Sequence, residues 1–515
     1  MTNDAARRRG SEASASSPAA QDAPAHDLRA RLATVLRHGR SSTAFRALGP
    51  DLCVWRPVAD GADADAHAEA DADADTEADT DALVAYAAVR GAAVAAGEPV
   101  ADVDRLVAVA EAFMAAQATA GRRPSFFATE GRLARSPQLA RRLIGEQPVW
   151  DPQAWDAGVR AHKSLREQLR RARAKRVVVE VVDTAQLTSA AFQDALSALQ
   201  ARWRATRSMP PMGFLVTQAL TEGAAHRRTW LARQGDTLVG VLSMVPLPAR
   251  PGWLLEHLLR DPDAPNGTAE LLVDVAMRTL AAEGATWATL GLAPLHGAID
   301  PTLARLRRWS RPLFNFAGLS QFKHKLRPTH WEPIYLAWPA HGSGWRAMRD
   351  GLRAFAGGSF LRFGVRTIWR GPTPVLQALE WLLLPWTMLL ALAPTTPWFP
   401  SRAVQGAWVL FDGALLLALR TVRQRSTAHG PDERRVVSRL ATGIAVAVTL
   451  DALLTLSEAV LHRAPREVGM WGAVLTGIAC AGPLLAAPML WGAAQRARLL
   501  ARPLARLRPT SSALP

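Results

Sequence analysis

The chain has 515 residues, 49% of them hydrophobic, with only two cysteines and a formal net charge of +16. This length exceeds a single small module, since a domain averages about 150 residues, and two cysteines are too few for a disulfide framework or a cysteine-based zinc site. The excess of basic residues indicates a polyanionic partner, either nucleic acid or an anionic membrane surface.

The N-terminal part predicts a leader and a first folded unit. Residues 1–39 lack the apolar core of a secretory signal and predict a disordered leader. A first unit is predicted over 40–155, with an alanine- and aspartate-rich tract at 59–82 that predicts a solvated insertion. The strand-like stretches LCVWRPV and ALVAYAAV flank this tract, which is therefore predicted to interrupt a hairpin. A helix follows, with one apolar face formed by Leu106, Val109, Phe113 and Met114.

A second unit is predicted over 156–340. It begins with a basic helix over 156–176 and the strand VVVEVV, followed by a helix over about 189–206. The strands TWLAR, TLVGVLSMVPL and GWLLEHLL come next, then a helix over about 267–283 and the strand WATLGL. Antiparallel strands flanked by helices predict an α+β fold, and two such units in tandem fit the length.

The basic helix at the start of the second unit carries eight cations and two acids. Cations on more than one face of a helix favour binding to a polyphosphate such as RNA. A basic helix that is merely solvated explains the same run.

The turn between GWLLEHLL and the following helix contains the densest group of candidate site residues. Asn266 can cap the helix, Gly267 lets the backbone approach a neighbour or ligand, and Glu270 falls in the first turn, where the helix dipole favours a carboxylate. The N-terminus of a helix at strand ends is suited to phosphates or reacting carbonyls. Alternatively, these polar residues only end a strand and begin a helix: Asp261, Asp263, Asn266 and Glu270.

Aromatic and basic residues alternate in LFNFAGLSQFKHKLR, residues 313–327. Phe314 and Phe322 could stack on a nucleotide while Lys323 and Lys325 meet a phosphate, although a packed loop with solvated cations has the same composition. The histidines lack metal-ligand spacing, and no HExxH, GxSxG or Walker motif occurs, so no metal or cofactor is predicted.

The last third of the chain predicts a membrane domain. Residues 341–374 form a basic juxtamembrane segment, whose arginines and aromatic residues suit an interface with anionic lipid. Four apolar stretches follow within 375–495, each long enough to cross a bilayer: 375–394, 403–419, 440–461 and 470–494.

The arginine distribution predicts the orientation of these spans. Six arginines lie in the loop 420–439, and more lie in the basic tail 496–515. By the positive-inside rule these segments face the cytoplasm, and so does everything before residue 374.

Several of these motifs, taken in order, resemble the synthase domain of the multiple peptide resistance factors, the lysylphosphatidylglycerol synthases. The matching pieces are IGEQPVW, KSLREQLRRARAKRVVVEV, PMGF, LLRDPDAPNGTAELL, LGLAPL and FNFAGLSQFKHKLRPTHWEPIYLAWP. They extend over roughly residues 40–340.

The resemblance implies two tandem domains of the GCN5-related acetyltransferase type. Such an enzyme transfers an aminoacyl group from charged tRNA to a hydroxyl of phosphatidylglycerol at the inner membrane. Asp261 and Glu270 would then hold the aminoacyl ammonium or act as base, and Asn266 would orient them. Lys323 and Lys325 would meet phosphate or an oxyanion. The tRNA would contact Lys163, Arg166, Arg170 and Arg173.

Two features depart from the family pattern: the spans follow the synthase domain instead of preceding it, and the acidic insertion is foreign to it. Flipping of lipid is therefore not implied. Two other functions stay open, an acyltransferase with an acyl-CoA donor and a non-catalytic membrane protein that binds lipid or tRNA. The first is disfavoured because RDPDAPNG occupies the place of the usual pyrophosphate loop.

Overall fold

A mixed sheet of twelve strands is the framework of a computed structural model of the chain. The structure describes residues 19–57, 81–216, 220, 224–309, 316–395, 399–425, 431–463 and 470–504. The strands are β1 Cys53–Trp55, β2 Val84–Val89, β3 Ala92–Ala96, β4 Arg123–Thr129, β5 Leu139–Trp150, β6 Val177–Val182, β7 Arg228–Gln234, β8 Thr237–Leu247, β9 Gly252–Arg260, β10 Trp287–Thr289, β11 Ala293–Pro294 and β12 His330–Pro339. Their order is β1-β2-β3-β4-β12-β5-β10-β9-β8-β7-β6, and β11 pairs with β5.

Helices cover this sheet and extend beyond it. They are α1 Ala19–His38, α2 Leu106–Thr119, α3 Trp155–Ala161, α4 Lys163–Ala174, α5 Thr184–Thr188, α6 Ala190–Ala205, α7 Thr268–Ala282, α8 Pro301–Trp309, α9 Phe316–Lys325, α10 Gly344–Phe355, α11 Phe360–Trp369, α12 Thr373–Leu392, α13 Arg402–Arg425, α14 Pro431–Glu458 and α15 Met470–Ala501. The prediction of an α+β fold is confirmed.

The same arrangement of strands occurs in each half of the sheet. Antiparallel β2 and β3 lead through α2 to β4, which is parallel to β3. Antiparallel β8 and β9 lead in the same way through α7 to β10, which is parallel to β9. The apolar face predicted for α2 is buried, so Leu106 and Phe113 pack against the first half as expected.

The two halves exchange their last strands. β12 follows the second half in sequence, yet it lies between β4 of the first half and β5. β5 follows the first half and pairs with β10 of the second. The sheet is therefore continuous, and the unit boundaries at 40–155 and 156–340 stay predictions.

Two local predictions have different outcomes. β1 and β2 pair antiparallel, as expected for an interrupted hairpin, while residues 59–80 of the acidic tract lie outside the described residues. The single basic helix predicted over 156–176 is wrong, because α3 and α4 are separated at His162, which has extended backbone angles.

Each of the four helices α12 to α15 is long enough and apolar enough to cross a membrane, as predicted. Their outward positions carry exposed leucines such as Leu382 and Leu392, which in a bilayer face lipid instead of water. The basic segment that precedes them forms α10 and α11. Helix α10 packs on the sheet, where Gly351 fits closely against Phe127, and α11 exposes Leu361 and Trp369.

Candidate active site

The predicted carboxylate Asp261 lies at the end of β9 and is 0% exposed. It accepts hydrogen bonds from Arg202 Nε at 2.7 Å, Arg202 Nη2 at 3.1 Å and the Asp263 backbone N–H at 2.8 Å. Arg202 also donates to the carbonyl oxygens of Leu500 and Arg502, at 2.6 and 2.5 Å. Asp261 thus lies in a buried ion network that joins the sheet to the end of α15. Its catalytic role stays a prediction, and this placement favours a structural one.

The helix after Asp261, α7, begins one position later than predicted. Gly267, with a φ of 91°, is the N-cap of α7, and no side chain caps the helix. The prediction that Asn266 caps α7 is therefore wrong, because the left-handed backbone of Gly267 takes that position and Asn266 is exposed outside the helix. Glu270 falls in the first turn as predicted and is half-buried.

The backbone of Gly267 packs closely against α4. A Cβ on this residue would lie 2.1 Å from the Gln168 carbonyl oxygen, so α4 covers the first turn of α7. Only glycine combines this contact with a positive φ. A role in substrate binding for Gly267 stays a prediction.

Substitution Gly267→Ala is expected to destabilise the protein by about 2 to 4 kcal/mol, through backbone strain and the clash with α4. The measurement is the thermal midpoint of the detergent-solubilised protein. Gly158→Ala in α3 is the matched control, since nothing lies within 4 Å of its Cβ position, and it is expected to be slightly stabilising. Equal midpoints for the two variants would contradict the packing.

The four predicted tRNA contacts have different surroundings on α4. Arg170 binds Glu167 at 2.8 Å, and Arg173 binds the buried Asp274 at 2.9 Å. Arg166 donates to the Arg160 carbonyl oxygen. The side chains of Arg170 and Arg173 are still more than half exposed. Contact of this face, with Lys163, to tRNA stays a prediction.

Lys323 is buried in α9, 3% exposed. Its Nζ donates to the carbonyl oxygens of Leu290, Gly291 and Leu292, at 2.9, 2.7 and 2.9 Å. Burial lowers the pKa of Lys323 to about 7. The side chain therefore holds the backbone that leaves β10, while Lys325 is exposed. Contact of either lysine with phosphate or an oxyanion stays a prediction.

Of the two aromatic residues predicted to contact substrate, the structure describes one. Phe322 is partly buried and packs against a hydrophobic core of the second half of the sheet. Phe314 lies outside the described residues. Their roles in substrate binding stay predictions.

The sheet opens where Lys323 holds the backbone. β9 and β10 pair over three residues only: Gly252–Leu254 of β9 lies beside Trp287–Thr289 of β10. Beyond Leu254, β9 continues beside β8, whereas Ala293–Pro294 of β11 pairs with Gly145–Glu146 of β5. The strands thus diverge into an opening between β9 and β11.

Two histidines and a glutamate form a chain of hydrogen bonds on the β11 side of this opening. The Nδ1 atom of His296 lies 2.8 Å from a carboxylate oxygen of Glu146, and its Nε2 atom lies 2.8 Å from Nε2 of His324. Trp331 stacks on His296 with ring centroids 4.3 Å apart. Glu146 lies in β5, His296 is the second residue after β11, and His324 lies in α9.

The tautomers of this chain follow from its partners. The Glu146 carboxylate accepts a hydrogen bond from the Nδ1–H group of His296, so Nε2 of a neutral His296 is an acceptor. His324 then donates from Nε2, which leaves its Nδ1 atom as a base. Burial lowers the pKa of His324, and so does the neighbouring His296. A neutral imidazole oriented by a carboxylate is the arrangement of a general base.

No local sequence pattern marks this hydrogen-bonded chain, although its members lie within or next to motifs that carry the family resemblance. Glu146 lies in IGEQPVW, His296 follows LGLAPL, and His324 and Trp331 lie in FKHKLRPTHW. Only the fold brings these segments together. Within the described residues, no group of three or more His, Cys, Asp or Glu is arranged to hold a metal ion.

A family model described as phosphatidylglycerol lysyltransferase, C-terminal, matches residues 71–338. A curated relative, an uncharacterized protein of Corynebacterium glutamicum, is 26% identical over 274 residues, which are 48% of this chain and 33% of that protein. The chain thus spans about a third of the length of this relative.

Two solved structures share the fold. One is the C-terminal DUF2156 domain of a protein assigned as a lysylphosphatidylglycerol synthetase from Agrobacterium fabrum, with a TM-score of 0.53, 21% identity and coverage of 65% of this chain and 99% of that chain. The other is L-PGS from Bacillus licheniformis, with a TM-score of 0.52, 17% identity and coverage of 65% and 97%.

Proposed function

The chain belongs to the phosphatidylglycerol lysyltransferase C-terminal family, and from this premise we propose that it transfers an aminoacyl group from charged tRNA to a hydroxyl of phosphatidylglycerol. The family match spans the sheet from β2 nearly to the end of β12 and includes Glu146, His296 and His324. The single observation that carries the proposal is the hydrogen-bonded chain of these three residues at the opening of the sheet.

The reaction is an ester exchange. Nδ1 of His324 takes the proton of a glycerol hydroxyl, whose oxygen attacks the carbonyl carbon of the aminoacyl ester. The tetrahedral intermediate collapses, the bond to the ribose oxygen breaks, and that oxygen takes the proton back from His324. The Glu146 carboxylate, acting through His296, stabilises the transient imidazolium. The donor ester is already activated, so alignment of the two substrates supplies much of the remaining acceleration.

The contacts of the membrane helices support a cytoplasmic catalytic unit. Arg434 of α14 binds Asp263 at 2.6 Å, and the end of α15 binds Arg202. These arginine-rich helix ends therefore lie on the same side of the bundle as the sheet. The positive-inside rule favours the cytoplasm for that side, and charged tRNA is available there.

An acyl-CoA donor fits this site less well. Donor phosphates are commonly held at a helix N-terminus beside strand ends, but α4 covers that end of α7 at Gly267. Charged tRNA, with its ester at the end of a long polyanion, does not need that position. The exposed arginines of α4 offer it a salt-dependent contact.

The test is lipid analysis by thin-layer chromatography and mass spectrometry after expression of the full chain in a host without aminoacylated lipids. We expect a new aminoacyl phosphatidylglycerol, whose mass identifies the amino acid. In membranes supplied with purified charged tRNA, ribonuclease is expected to abolish its formation. A folded, membrane-inserted protein that yields no such lipid would contradict the proposal and favour the non-catalytic alternative.

A further inference from the structure

Three polar side chains form a row across the middle strands of the second half. Thr229 of β7 is paired with Ser243 of β8, and Ser243 is paired with His257 of β9. Residues directly opposite on neighbouring strands place their side chains on the same face, about 5 Å apart. The row therefore extends for roughly 10 Å, a length set by the same strand spacing.

All three side chains are buried, and each has a polar atom without a hydrogen-bond partner among the described residues. Thr229, Ser243 and His257 are 2%, 0% and 8% exposed. Thr229 Oγ1, Ser243 Oγ and His257 Nε2 have no hydrogen-bond partner in the part of the chain that the structure describes. Buried polar atoms are almost always paired in native proteins, so three adjacent unpaired ones indicate that a polar molecule completes them.

The row lies beside the same opening as the histidine chain. Leu254 pairs with Thr289, and Thr289 pairs with Val149. Because Glu256 is an extra residue in β9, His257 lies about two positions beyond Leu254 and on the same face of the sheet as Leu254. Glu146 is three residues from Val149 and therefore projects from the other face. The row and the histidine chain thus lie beside the opening on opposite faces of the sheet. The pairing of β8 with β9 also shifts register next to Ser243, and such irregularities are common beside active sites.

The groups in the row are uncharged. Burial lowers the pKa of His257 to about 4, so its imidazole is neutral at pH 7. The adjacent Glu256 forms an ion pair with Arg227 and lies 3.4 Å from His257 Nε2 without hydrogen-bond geometry. Hydroxyls both donate and accept, and so they match the vicinal hydroxyls of a neutral polyol. A charged ammonium or carboxylate would find no unpaired countercharge in the row itself.

We propose that Thr229, Ser243 and His257 bind the glycerol headgroup of the lipid acceptor. This inference rests on the proposed function and deepens it, since it assigns the row to the acceptor and not to the aminoacyl donor. A glycerol held there presents a hydroxyl to the opening from the face of the sheet opposite the one that carries the histidine chain.

The test uses the full chain in mixed micelles, with the concentrations of phosphatidylglycerol and charged tRNA varied separately. Thr229→Val and Ser243→Ala are each expected to raise the KM for phosphatidylglycerol about 3- to 10-fold, the value of one neutral hydrogen bond. The KM for charged tRNA is expected to stay unchanged. Because each variant removes a buried unpaired hydroxyl, its thermal midpoint should stay equal or rise.

Ser125→Ala is the matched control, since Ser125 of β4 is also buried with an unpaired Oγ but lies in the other half. It should leave both KM values unchanged. A raised KM for charged tRNA alone, or unchanged kinetics in Thr229→Val and Ser243→Ala, would overturn the assignment while leaving the proposed function intact. Competition of free glycerol with the lipid would show that the polyol itself is recognised. A lack of competition together with unchanged KM values would contradict binding of the glycerol headgroup by the row.

A second readout does not require turnover. The Thr229→Val/Ser243→Ala double variant is expected to retain less phosphatidylglycerol after detergent exchange than the wild type, measured by native mass spectrometry. Equal retention would refute the row as a headgroup site even if the wild type made no aminoacyl lipid, an outcome that would separately refute the proposed function.

Discussion

Replacement of His324 by alanine is expected to lower the rate of aminoacyl lipid formation about 10²- to 10⁴-fold, the usual contribution of a general base. The reason is that Nδ1 of His324 is the one basic atom left at the exposed end of the chain from Glu146 through His296. Since no part of the hydrophobic core depends on this side chain, the variant should fold. The measurement is the initial rate with purified charged tRNA and phosphatidylglycerol.

The matched control is His330→Ala, because His330 is also exposed and lies against a glutamate, Glu332, at 3.3 Å. It should keep full activity. Glu146→Gln should have an intermediate effect, since it removes the charge behind the imidazolium but keeps an oxygen for His296. Full activity in His324→Ala would contradict the role of His324 as the general base.

The pH profile gives an independent check on the same residue. A base must be neutral, and burial together with His296 lowers the pKa of His324 below its ordinary value of about 6.5. Activity should therefore be at its plateau at pH 7 and fall only in more acidic solution, as His324 becomes protonated. This acidic limb should disappear from the residual activity of His324→Ala.

Substitution Asp261→Ala is expected to cost about 3 to 5 kcal/mol of stability, because it leaves the charge of Arg202 without its buried partner. The expected sign is a lower thermal midpoint and less folded protein in the membrane. The turnover number per folded molecule should change little. Thermal unfolding and active-protein quantification on the same preparation measure these two effects.

The control is Asp263→Ala, which removes the partly exposed member of the same network. Partly exposed ion pairs contribute little, so a loss of about 1 kcal/mol or less is expected. If Asp261→Ala kept the wild-type midpoint but lost turnover more than 100-fold, the catalytic role predicted from the sequence would be correct and the structural one wrong.

Local patterns were sufficient for most elements. The apolar run TLVGVLSMVPL predicted β8 at its observed bounds, and the apolar stretches after residue 374 predicted the four long helices. Ser189 begins α6 because its hydroxyl accepts from the Phe192 N–H. These features depend on residues close together in sequence, which is why the sequence reveals them.

Features that depend on distant segments escaped prediction. The exchange of β5 and β12 joins strands from different halves of the chain, and neither strand carries a local signal for its partner. Lys323 looks solvated in the sequence FKHK, but three backbone carbonyls accept its hydrogen bonds in the core. His296 and His324 are 28 residues apart, so no short motif marks them as a pair.

The exchange of strands also determines when the sheet can be completed during translation. β4 leaves the ribosome roughly 200 residues before β12, which must lie beside it. At about 5 to 20 residues per second this wait lasts on the order of 10 to 40 s, during which one edge of β4 lacks its partner. β12 is completed only about 35 residues before α12 begins. The nascent chain therefore closes its sheet just as α12, the first of the four helices that could cross a membrane, is made. Chaperones that shield the open edge would act at the same moment as the machinery for membrane insertion.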